Sequence, residues 1–155
     1  MKPLTRKILV VLALVLVGLQ FVRPALTTTN VAPDAIDVTA LHPTSAEVKS
    51  ILARACYDCH SDQTRYPWYA QVQPAGWWLA SHVKDGRRHL NFSQFGTYSP
   101  DRAAHKIESL IEEVEEHEMP LRSYTWLHPD ARLSDTEVKA LVAWAKSIQS
   151  TLPPP

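Results

Sequence analysis

Two cysteines, four glycines and two methionines in 155 residues are the scarcities that bound this chain. So few glycines leave little room for a fold of tight turns, and no segment alternates polar and apolar residues at period two. A sheet protein is therefore not expected. Two cysteines cannot form a disulfide framework. Nor can they make a structural zinc site, which takes four ligands, because no second Cys pair or closely spaced His pair exists. Repeats are absent as well. No acidic residue stands in the first 23 positions, against Lys2, Arg6, Lys7 and Arg23, a local charge of +4. The whole chain is neutral, so the remainder holds 12 basic and 16 acidic residues and a charge of −4. That excludes a basic face large enough for nucleic acid.

What is present is ordinary globular usage, 45% apolar and 21% charged, with twelve prolines. This composition predicts helices joined by stiff loops. Thr44-Ser45-Ala46-Glu47 reads as a capping box, followed by Val48, Ile51, Leu52 and Ala55 at helical spacing. A second helix is expected between Pro74 and Arg88. A third starts at Ser99-Pro100-Asp101, with the stripe Ala104, Ile107, Leu110, Ile111 and Val114. The fourth opens with the capping box Ser134-Asp135-Thr136-Glu137. Its inward residues are Val138, Leu141, Val142, Ala145 and Ile148, with Trp144 on the shoulder. The domain is expected to be all-α.

Both cysteines lie in Cys56-Tyr57-Asp58-Cys59-His60. This is C-x-x-C-H, the attachment motif of c-type haem. Two thiols three positions apart on one helical turn can each add to a haem vinyl group, and the following imidazole can bind the iron. A thioredoxin-like pair would need a βαβ context that is missing here, and a disulfide across two residues would close too small a loop to stabilise much. Neither accounts for His60.

For a second iron ligand the candidates are Met119, His82, His89, His105, His117 and His128. Met119 lies 59 residues beyond His60 and directly before Pro120, and it is the sole thioether apart from Met1. A Met/His pair raises the potential. His82 is the first alternative and would lower it. His105 and His117, on an acid-rich helix, are expected to face solvent. Trp68, Trp77, Trp78, Trp126 and Trp144 can pack against a buried macrocycle, enlarging a core that about 110 residues alone would leave thin. Lys84, Arg87 and Arg88 form a basic cluster. Glu112, Glu113, Glu115, Glu116 and Glu118 form an acidic one. Both read first as solvated faces and second as docking patches for a redox partner.

The N-terminus reads as a targeting segment. An apolar run from Ile8 to Val22, broken only by Gly18 and Gln20, follows the basic residues. Its fifteen residues span roughly 22 Å as a helix, short of the roughly 30 Å hydrocarbon core. That length suits a cleaved signal peptide, yet Arg23-Pro24-Ala25 and Asn30-Val31-Ala32 are poor cleavage sites. An uncleaved, single-pass anchor with its basic end in the cytoplasm is the preferred expectation. Residues 1–23 are then the anchor, 24–43 a tether and 44–150 the haem-binding domain.

These residues resemble the bacterial haem-binding domain family, short membrane-tethered monohaem c-type cytochromes. The likeness runs from Gln20-Phe21-Val22-Arg23-Pro24 to about residue 148. It rests on the Cys56–His60 motif, Tyr66-Pro67-Trp68-Tyr69, Pro74 through Trp77-Trp78 to His82-Val83, His89-Leu90-Asn91-Phe92-Ser93, Met119-Pro120, Ser123-Tyr124 and Leu127-His128-Pro129. Phe95 departs from it, where tryptophan is expected. The order of elements also resembles the class I cytochrome c plan. The likeness implies one covalent haem c and a domain facing the periplasm, and it implies no reaction. The expectation is a carrier of one electron on the outer side of the inner membrane, with redox partners of unknown identity. The alternative is a haem-based sensor or gas-binding module with an open distal site. An enzyme such as a peroxidase is not expected, because a methionine on the iron would block it.

Overall fold

The structure is a computed structural model and describes residues 3–28 and 35–154. Lys2, Pro33 and the Asn30-Val31-Ala32 site lie outside the described residues. The helices are α1 (Pro3–Leu19), α2 (Val38–Leu41), α3 (Ala46–Ala55), α4 (Tyr57–His60), α5 (Ala75–His89), α6 (Pro100–Glu115), α7 (Arg122–Leu127) and α8 (Asp135–Gln149). Short 3₁₀ turns cover Trp68–Gln71, Phe92–Thr97 and Pro129–Ala131. No strand occurs among the described residues, so the domain is all-α as its periodicity requires.

The long helices begin where the sequence supplies caps. At α8 the capping box is complete: Ser134 accepts from Glu137 N–H, and the Glu137 carboxylate accepts from Ser134 N–H at 2.9 Å. At α3 the cap is Ser45, which accepts from Val48 N–H at 3.2 Å, so the expected box starting at Thr44 is not formed. Thr44 is used elsewhere. Its hydroxyl accepts from Trp144 Nε1 at 3.1 Å and ties the start of α3 to α8. Helix α6 ends with His117 at φ 60°, left-handed backbone that turns the chain back on itself. Glu118 and Met119 then both donate their N–H groups to the Glu113 carbonyl at 3.0 Å.

Helices α6 and α8 pack together, and α3 packs on α8. Their buried faces carry the expected stripes: Val48, Ile51 and Leu52 from α3, Ile107 and Val114 from α6, Leu141 and Ile148 from α8. Each such aliphatic contributes about 1.5–3 kcal/mol by leaving water. Ion pairs Arg54–Glu137 and Lys146–Glu115 cross the same contacts. A second, smaller cluster of Ala70, Leu79 and Val83 lies under α5.

Three expectations need correcting. Among the described residues no helix is long and apolar enough to cross a membrane. The 17 residues of α1 reach about 25 Å, so the expected transmembrane helix is not borne out. The segment taken as a tether is fastened down at both ends of its described part. Leu26 joins the second cluster, Arg87 donates to the Thr27 carbonyl and hydroxyl at 2.7 Å, and Val38 is fully buried. Periodicity cannot reveal this, because single residues are anchored rather than a face. Finally, Trp68, Trp78 and Trp126 are exposed by 80, 46 and 79%, and Trp144 alone among the five tryptophans is buried. None of the five lines the cavity beside the Cys56–His60 turn, and the main core is filled by aliphatic stripes, Phe92 and Phe95.

Candidate functional site

A cavity of about 820 Å³ opens between the α4–α5 pair and the α6–α8 pair. Cys56, Cys59, His60 and Met119 all line it. The motif reaches its wall because Cys56 breaks the helix. With φ −125° and ψ −43° it ends α3 and begins α4, and both Cys59 N–H and His60 N–H donate to its carbonyl, at 3.1 and 2.9 Å. The two thiols are thus held one turn apart. Burial pushes the Cys56 thiol up to about 12, with Cys59 adding to the shift. Burial and the Asp58 carboxylate push Cys59 up to about 11. Both sulfurs are neutral S–H groups in an apolar wall, and neither is in a disulfide.

His60 Nδ1 lies 3.0 Å from the Leu90 carbonyl. A carbonyl can only accept, so Nδ1 carries the proton and Nε2 remains to bind metal. Burial lowers the pKa of His60, against the raising effect of its carbonyl partners, and keeps the ring neutral. Phe92 packs at 6.4 Å and holds its orientation.

Four residues to which the sequence reading gave no part in the site, Asp58, Arg65, Arg87 and Gly86, fix this turn together with Tyr124. Asp58 is buried within the motif. Its carboxylate accepts from Arg65 N–H, Nε and Nη2 at 3.0, 3.1 and 3.2 Å and from the Tyr124 hydroxyl at 2.8 Å. The bond to Asp58 keeps Arg65 firmly charged, and burial followed by that carboxylate raises the pKa of the Tyr124 phenol. Arg87 donates to the Ser61 carbonyl at 2.8 Å and to the Thr64 hydroxyl at 2.9 Å, pinning the loop that leaves His60. Arg87 was expected in a basic surface cluster, but only 17% of its side chain is exposed.

Gly86 is the fourth. A Cβ placed there would stand 2.6 Å from the Cys59 carbonyl oxygen, so α5 can approach the motif only at a residue without a side chain. We expect Gly86→Ala to cost about 1–3 kcal/mol through this overpacking and to reduce the yield of haem-loaded protein. Thermal unfolding and haem content per chain would measure both. An unchanged midpoint with full loading would mean that α5 can move away freely.

The remaining candidates divide. His82, His89 and His105 also line the cavity, whereas His117 and His128 do not. His82 lies 4.1 Å from the Trp78 ring, with Nδ1 held by the Trp78 carbonyl at 2.9 Å. His105 is 65% exposed and paired with Glu108. His128 stacks on Tyr124 at 4.3 Å. At the cavity edge Arg88, Arg102 and Lys106 stand beside Asp85, Asp101 and Glu113, a rim with no strong sign.

Would a haem fit these residues? The cavity lies within the range of cofactor pockets and joins two neutral thiols, a neutral imidazole with a free nitrogen, and a thioether. Its aliphatic wall includes Leu110, Val114 and Leu141, and basic groups that could meet carboxylates stand at the edge. The residues fit the group. No curated protein and no solved structure matches the chain. A family model described as a haem-binding domain matches residues 14–147, and those bounds enclose every residue of the cavity wall, so this chain belongs to the haem-binding domain family.

Proposed function

We propose that the protein is a monohaem c-type cytochrome that carries one electron between partners on the outer side of the cytoplasmic membrane. The observation that carries this reading is that Cys56, Cys59, His60 and Met119 line one cavity although the methionine is 59 residues from the motif. When bound there, haem supplies an iron that exchanges single electrons. The chain's own residues do the rest. Cys56 and Cys59 hold the group by thioether bonds, and His60 presents Nε2 while Leu90 holds Nδ1. Met119, placed by the reversed end of α6, offers the second ligand. We read the protein as a carrier and not as an enzyme.

The same proposal places α1 in lipid. Every described residue of α1 except the half-buried Leu19 is exposed and twelve consecutive ones, Ile8–Leu19, are uncharged, a surface that water disfavours. Gas sensing is the competing reading, and an open second ligand position would favour it. The purified protein's absorption spectrum and redox titration test the proposal. We expect six-coordinate spectra in both oxidation states, a sulfur-to-iron charge-transfer band when oxidised and a single one-electron wave. A five-coordinate spectrum without that band would overturn it.

A further inference from the structure

We propose that the haem domain itself rests on lipid, with Trp68, Val72 and Trp78 seated in the headgroup region beside the end of α1. This inference rests on the reading above that α1 enters lipid. Three fastenings hold the end of α1 against residues 71–77 of the domain. Gln20 and Gln73 exchange hydrogen bonds, the Gln20 amide donating to the Gln73 carbonyl at 3.2 Å and Gln73 N–H donating to the Gln20 side-chain oxygen at 2.9 Å. Arg23 donates to the Gln71 side chain at 3.1 Å, and Trp77 Nε1 donates to the Val22 carbonyl at 2.8 Å. These bonds fasten the domain to the end of its helix. Whatever surface lies next to these bonds must meet whatever covers α1.

Exposed apolar side chains stand on that surface beside the polar Arg23 and Gln71. Phe21 and Val22 are exposed by 83 and 61%, Trp68 and Trp78 by 80 and 46%, and Val72 by 44%. Tryptophan favours the zone where one edge of its ring meets lipid and the other meets water. Trp78 packs at a tilt against His82, which lines the cavity, so the cavity edge stands one helical turn further along α5 from the lipid.

Full-length, haem-loaded protein reconstituted in vesicles of phosphatidylethanolamine and phosphatidylglycerol tests this. The vesicles carry a lipid with a photoreactive diazirine near its glycerol end, and labelled residues are read by mass spectrometry. We expect label on residues 66–79 as well as on α1. In Trp68→Ser/Trp78→Ser the label on 66–79 should fall about threefold or more while that on α1 is unchanged. Label confined to α1 in the unmutated protein would overturn the proposal. So would protein that fails to float with the vesicles, which would also remove α1 from lipid. A haem-stained band in that same protein would still leave the cytochrome reading standing.

Discussion

A chain in which Cys56 and Cys59 are both alanine is expected to show no haem stain on a denaturing gel, and either single change is expected to weaken the stain. Each thiol can make one thioether bond, and the sequence contains no other cysteine. Both line the same cavity, on one turn that the Cys56 carbonyl closes by accepting from Cys59 and His60. The fold should survive the change. Both side chains are only partly buried, neither is in a disulfide, and Ala replaces a small side chain. Loss of stain would therefore report lost attachment and not a lost domain. Far-ultraviolet circular dichroism of the same preparation separates the two. A band of full intensity from the double variant would sink covalent haem.

The second large effect is expected from Met119→Ala. Haem should stay attached, because the attachment residues are untouched, while the iron loses its thioether. Carbon monoxide should then bind the reduced protein about tenfold faster or more, and the reduction potential should fall. The argument comes from the end of α6. Ile107, Ile111 and Val114 are buried, which carries the last turn of that helix toward the cavity. His117 in left-handed backbone then reverses the chain, and Met119 N–H is tied to Glu113. The fold thus delivers the methionine to the cavity wall. The Trp78 ring lies 4.1 Å from that of His82, tilted by 43°, and solvent and Glu108 engage His105. His82→Ala and His105→Ala should leave carbon monoxide binding as it was. If the unmutated protein binds carbon monoxide as fast as Met119→Ala does, the second position is open and sensing displaces electron carriage.

Much of this was readable in the residues, and what was not has a common cause. The stripes of α3, α6 and α8 are buried as their spacing requires, because a helix with one apolar face has one way to leave water. The motif and Met119 are chemically singular, two thiols and one internal thioether in the whole chain, so composition alone pointed to them. Short α7 lacked the length to show a period. The Arg65–Asp58–Tyr124 clamp joins residues 66 positions apart, and pattern within a window cannot see it. Trp68 and Trp126 were misplaced because apolarity predicts burial only where a core has room for it. The same limit hid the docked residues around Leu26 and Thr27.

Gly86 and Arg87 are neighbours on α5 with opposite requirements, one that nothing project toward Cys59 and the other that a long donor reach Ser61 and Thr64. One residue of helix is a rotation of about 100°. A single insertion or deletion between Trp78 and Gly86 would bring a different side chain against the Cys59 carbonyl and swing the guanidinium away from its loop. The stretch from Pro74 to His89 is thus fixed in length as well as in composition. The segment from Leu121 to Leu133 is held at separate points, by Tyr124 on Asp58, by Arg54 on the Asp130 and Arg132 carbonyls and by the buried Ala131, so a change of length there would disturb the Arg54 contacts as well.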